Sequence, residues 1–150
     1  MKKFFLTTLL GLTVLAMQAQ KATLKTTKEA HKLAETVMQQ IVSGQSIQAF
    51  DTLKQYWPLD NLQIKNLGET TAEQIGMLED QIGKLKGYEF VESETLGSFG
   101  YLEKFVIKYE QSALRLYIIF YNGGNGWMVN SVFWDDSWDV FFKSRLTSGN

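Results

Sequence analysis

At 150 residues, 45% of them apolar, the chain has material for one packed domain and not two. Its 15 basic and 16 acidic side chains leave a formal charge of −1, which argues against nucleic acid, a partner that favours a basic patch. The lack of cysteine excludes disulfides, thiolate chemistry, cysteine-bound metal and lipid attachment at a cysteine.

Lys2 and Lys3 precede an apolar run from Phe4 to Ala16, and Met17-Gln18-Ala19 ends on the small residue a signal peptidase needs. Residues 1–19 therefore read as a cleavable export signal, with Gln20 as the first mature residue. The predicted location is periplasmic or secreted, by Gram-negative-type export and not as a lipoprotein. The run is shorter than the roughly 20 apolar residues that cross a bilayer, and no later stretch is long enough, so no membrane anchor is expected.

Residues 20–26 read as a flexible lead-in. Thr26-x-x-Glu29 has capping-box spacing, and Ala30, Leu33, Ala34, Val37, Met38 and Ile41 then form one helical stripe that Ser43-Gly44 ends. Ser46 is placed to cap a second helix with Ile47, Phe50, Leu53 and Trp57 inward, stopped by Pro58. Leu59 to Leu67 fits either a short strand or a turn of helix. A third helix is predicted from Thr70-x-x-Glu73 or Thr71-x-x-Gln74, through Ile75, Leu78, Ile82 and Leu85, to Gly87.

Beyond Gly87 aromatic and β-branched residues dominate, which predicts strands at 88–96, 100–110, 113–121 and 127–135. The short connections make neighbours antiparallel. Asp136 is placed to cap a last turn that carries Trp138, Phe141 and Phe142 back to the core, and residues 143–150 read as a tail.

Three helices followed by a meander predict an α+β domain with the helices on one face of a four-stranded or larger sheet. Over residues 27–142 this order resembles the NTF2-like superfamily. The segment Tyr121-Asn122-Gly123-Gly124-Asn125-Gly126-Trp127 followed by Phe133-Trp134-Asp135-Asp136 resembles the last hairpin of its exported members. The resemblance implies a curved, cone-shaped sheet, a pocket on the concave face, and dimers through the outer face. A cystatin-like domain would need only one long helix.

Register follows from segregating apolar residues, because a one-residue slip moves every side chain to the other face. A two-residue turn at Gln111-Ser112 places Tyr101, Phe105, Ile107 and Tyr109 with Leu114, Leu116, Ile118 and Phe120. Continued alternation adds Trp127, Val129 and Phe133. The same face then carries Glu103, Ser131 and Asp135, and a buried carboxylate must be paired, neutralised or beside water. Tyr101, Glu103, Tyr109, Trp127, Ser131 and Asp135 are accordingly the pocket candidates. The opposite face, with Tyr117, Tyr121, Met128 and Trp134, holds more apolar surface than a solvated face needs and is the candidate interface for a homodimer.

Other chemistry finds little support. His31, the only histidine, reads as a solvated partner of Glu35 one turn on, and one histidine without cysteine argues against a transition metal. The glycines at 123, 124 and 126 read as a hairpin turn, since a phosphate loop would need a lysine and a helix after them. Asp135, Asp136 and Asp139 lack the spacing of a calcium loop. No cofactor is expected. The reading is a non-enzymatic domain that binds a small molecule or an envelope protein. The alternatives are an isomerase or lyase with Glu103 or Asp135 as general base, or a partner-binding subunit with no cavity.

Overall fold

The computed structural model describes residues 21–142. The predicted export signal, Gln20 and the tail at 143–150 lie outside the described residues. Three helices, α1 (Thr27–Val42), α2 (Ser46–Leu53) and α3 (Asn61–Ile82), precede four strands, β1 (Leu85–Leu96), β2 (Gly100–Tyr109), β3 (Ala113–Asn122) and β4 (Trp127–Asp135). The strands form an antiparallel sheet in sequence order. The domain is α+β, as its sequence predicts. Among the described residues no helix is long and apolar enough to cross a membrane.

α1 begins where its capping residues place it. Thr26 Oγ1 accepts the Glu29 amide at 3.2 Å, and Glu29 Oε2 accepts the Lys25 amide at 2.8 Å. The predicted stripe from Ala30 to Ile41 is buried along its whole length. α2 lacks a side-chain cap, so Ser46 does not act as one. Instead Ser46 is buried in the first turn, and Ile47 points outward.

α3 differs most from expectation. It starts at Asn61, with Asp60 Oδ1 accepting the Leu62 amide at 2.8 Å, so the ambiguous stretch is helix and the threonines at 70 and 71 lie inside it. Its buried stripe is Ile64, Gly68, Thr71 and Ile75, in which only the isoleucines are apolar side chains. Gly68 is small because α2 crosses there: a Cβ on it would lie 3.1 Å from Phe50 Cβ. α3 ends at Gly83, whose φ of 83° suits glycine, and not at Gly87, which lies within β1 at a bulge.

β2 and β3 pair in the predicted register, with Tyr101 opposite Phe120, Glu103 opposite Ile118, Phe105 opposite Leu116 and Ile107 opposite Leu114. β4 breaks its alternation. Phe120 pairs with Val129 but Ile119 pairs with Ser131, leaving Asn130 as the extra residue of a bulge. Trp127 and Val129 keep the core face. After the bulge Val132 and Trp134 take it, opposite Ile118 and Leu116, while Ser131, Phe133 and Asp135 move to the outer face. The expected core-side position of Phe133 and the expected outer position of Trp134 are thereby both reversed.

The lead-in is docked, not loose. Leu24 is buried and bridges Trp127, with amide–carbonyl bonds of 2.9 and 2.7 Å, and the Ala22 amide reaches Gln55 O at 2.9 Å. The last turn goes to the other side from the one expected: Phe141 packs on Tyr117 of the outer face, ring centres 5.8 Å apart.

Candidate functional site

The helix-covered face holds one fully buried carboxylate, Glu103. Alternation along β2 aims it at α1, as expected. The Tyr101 hydroxyl donates to Glu103 Oε1, and His31 Nδ1 lies 3.0 and 3.1 Å from Oε1 and Oε2. His31 therefore crosses from α1 to β2 and is not the solvated partner of Glu35. Its ring meets Phe90 of β1 edge-on at 4.9 Å, and Tyr101 meets Trp127 edge-on at 5.9 Å. Burial, and then the bond to Glu103, push the Tyr101 hydroxyl up to about 12. Tyr101, Glu103 and Trp127 thus come together with His31, a member that helical spacing assigned to Glu35.

Glu103 is satisfied by side chains and lines none of the grooves described below. Only His31 of this cluster reaches a groove, a shallow one of about 420 Å³ along the start of α1 beside Glu29 and Glu35. Tyr109 sits at the far end of β2, buried, with a hydroxyl that has no hydrogen-bond partner among the described residues. Burial, with the charge of Glu79, pushes that hydroxyl up to about 12.

Ser131 and Asp135 stand away from this cluster, on the outer face. Asp135 accepts Arg115 Nε and Nη2, each at 2.7 Å, and the Ser137 amide at 2.7 Å. The Arg115 bond, foremost, holds the Asp135 carboxyl below its usual range. The Arg115 guanidinium lies over the Tyr117 ring, 5.2 Å from its centre. Tyr117 is further covered by Phe133, 4.7 Å away, so its own chain shields this interface candidate. Tyr121 is 48% exposed beside Phe99, and Met128 pairs with Tyr121 across the strands. On β1 and β2 the outer face is ionic: Lys104 is bound by Glu92 and Glu94, and Lys108 by Glu89.

A groove of about 520 Å³ opens between α3 and the sheet, at the end of β4. Leu114, Val132 and Trp134 line the sheet side, Phe50, Leu67 and Leu78 the helix side. Thr70, Thr71 and Gln74 of α3 add polar atoms, and Asp135 and Asp136 stand at one end. The groove has two causes. α3 leans on α2 across Gly68 and carries no large apolar stripe toward β4, and the Asn130 bulge turns Val132 and Trp134 inward. A second hollow of about 900 Å³ runs between the lead-in and the α2–α3 loop. There Lys21 Nζ is already bound to Lys54 O at 3.0 Å and Asn61 Oδ1 at 2.9 Å.

Among the described residues no group of three or more histidine, cysteine, aspartate or glutamate side chains is placed to hold a metal ion. No family model matches the chain, and no curated protein matches it. Among solved structures it is similar to a protein from Campylobacter jejuni described, by attribution only, as an NTF2-like transpeptidase. The match has 12% identity and a TM-score of 0.45, over 67% of this chain and 95% of the other. Nothing about the chemistry of this chain follows from that likeness.

Proposed function

We propose that the chain is an exported, NTF2-like binding domain that holds an apolar small molecule in the groove between α3 and β4 without converting it. The observation that carries this reading is the groove itself. It is open, walled by apolar and aromatic side chains, supplied with a few polar groups, and within the size range of small-molecule sites.

The catalytic alternative has less to support it. A general base must reach the proton it removes. Glu103 is sealed behind Tyr101 and His31, and Asp135, held ionised by Arg115, is a weak base. The export half of the proposal rests on the pattern from Lys2 to Ala19.

A neutral apolar dye, N-phenyl-1-naphthylamine, tests the groove. Gln74 is exposed on α3 at the groove's edge, so Gln74→Trp should plug it without disturbing the core. Dye fluorescence should rise with the unaltered protein and fall at least ten-fold in apparent affinity with the variant, at unchanged Tm. A dye that fails to bind, or binds both proteins alike, would remove the groove as the site.

A further inference from the structure

We infer that the groove between α3 and β4 selects ligands carrying a positive charge at one end of an apolar body, an inference that rests on the groove being the binding site. Two carboxylates stand at its end, and they are not equivalent. Both oxygens of Asp135 are occupied by Arg115, and Oδ1 also takes the Ser137 amide, so this pair is internally neutralised. Asp136 lines the same groove, is exposed, and has no partner among the described residues. None of the groove's side chains is basic.

An uncompensated carboxylate at the mouth of an apolar trough favours a cation and repels an anion, and the low-dielectric walls strengthen both effects. The aromatic lining acts in the same direction. Trp134 lines the groove two residues before Asp136, and an aromatic ring attracts an alkylammonium or guanidinium group. The chemistry is therefore that of a cationic amphiphile: an aliphatic or aromatic body along Leu67, Leu78, Leu114 and Val132, and an ammonium head at Asp136.

Decyltrimethylammonium and decyl sulfate, each below its micelle concentration, share one apolar body and differ in the sign of the head. Titrated into the purified protein at low salt by calorimetry, the cation should bind at least ten-fold more tightly than the anion. Asp136→Asn should weaken the cation three- to ten-fold and leave the neutral dye unchanged. Asp80→Asn, which removes an exposed acid on α3 outside the groove, should change neither. Gln74→Trp should abolish binding of both amphiphiles. Equal binding of cation and anion, or a cation indifferent to Asp136→Asn, overturns the charge selectivity and leaves the groove as an apolar site. Amphiphile and dye binding that both ignore the Gln74→Trp plug overturns the groove itself, and the inference with it.

Discussion

Tyr101 and Glu103 lie two residues apart on one face of β2, and the phenol hydroxyl donates directly to a carboxylate with no solvent exposure. Such a carboxylate is stable only when its lone pairs are filled. Tyr101 donates to Oε1 from the same strand, and His31 reaches both oxygens from α1, 72 residues away in sequence. The cluster is thus a polar rivet between the first helix and the second strand.

Removing one partner should therefore be worse than removing both. His31→Leu leaves Glu103 underpaired and should destabilise by about 1–3 kcal/mol, the cost of an underfilled buried acceptor. His31→Leu combined with Glu103→Leu replaces the rivet with apolar contact and should recover most of that loss. Glu103→Gln keeps an acceptor for Tyr101 and should lose about 1 kcal/mol. Urea melts of these proteins and of the Glu103→Leu single variant, which completes the cycle, decide the point. Additive losses in the double variant would show that the two side chains do not act as a pair.

Burial delays the ionisation of Tyr88, Tyr101 and Tyr109, with a consequence at high pH that is largest for the last two. Tyr101 and Tyr109 ionise at about 12 in the folded chain, against 10.0 for a free side chain. The folded value is the raised one, so the stability they supply is complete below pH 10 and is lost as pH rises toward 12. The loss is on the order of 2 kcal/mol for each residue. Phenolate absorbance should show Tyr101 and Tyr109 titrating last. Tyr109→Phe should flatten the alkaline fall in Tm without losing a hydrogen bond, because that hydroxyl has no partner among the described residues. An unchanged alkaline slope in that variant would contradict the assignment.

Gly126 is required by a close approach. Its φ is 109°, and a Cβ there would lie 2.8 Å from Leu24 O and from Thr23 Oγ1. Gly126→Ala should therefore undo the bridge from Leu24 to Trp127, with a loss of about 1–3 kcal/mol. Faster amide exchange at Leu24 and Trp127 would register the release. Retained protection at both amides would mean that the lead-in is held by other contacts.

Export gives a separate test. Intact mass of envelope-fraction protein should correspond to a chain starting at Gln20. A functional form that keeps Met1 to Ala19 would overturn the export reading.

What could be read from the sequence was local or periodic. The α1 stripe and the pairing of β2 with β3 both follow from segregating apolar side chains. The start of α3 did not, because Gly68 and Thr71 occupy half its buried stripe while Leu62 and Met77 are exposed. His31 had a nearer acid in Glu35 than in Glu103, and no spacing rule spans two elements. The groove depended on a bulge, which one strand's alternation conceals. A retrospective signal was present in β4, where continued alternation buries Ser131 and Asp135 but exposes Val132 and Trp134.

That bulge sets which of two adjacent side chains in β4 is buried. Val132 and Phe133 are neighbours of similar hydrophobic character, and unbroken alternation from Trp127 would bury Phe133 and expose Val132. With Asn130 as the extra residue, Val132 faces the core opposite Ile118, while Phe133 is 39% exposed opposite Tyr117. Val132→Asp should then place a carboxylate against apolar neighbours and destabilise by about 3 kcal/mol or more. Phe133→Asp should lose only its ring contact with Tyr117 and the overlying Arg115, about 1 kcal/mol. Deleting Asn130 removes only the extra residue: Ser131 then follows Val129 in regular alternation, Val132 and Trp134 keep the core face and Asp135 stays opposite Arg115, so the deletion should cost less than Val132→Asp. Chemical denaturation gives the order directly. A Phe133→Asp protein less stable than Val132→Asp would mean that β4 runs without the bulge, and the groove lined by Val132 and Trp134 would go with it.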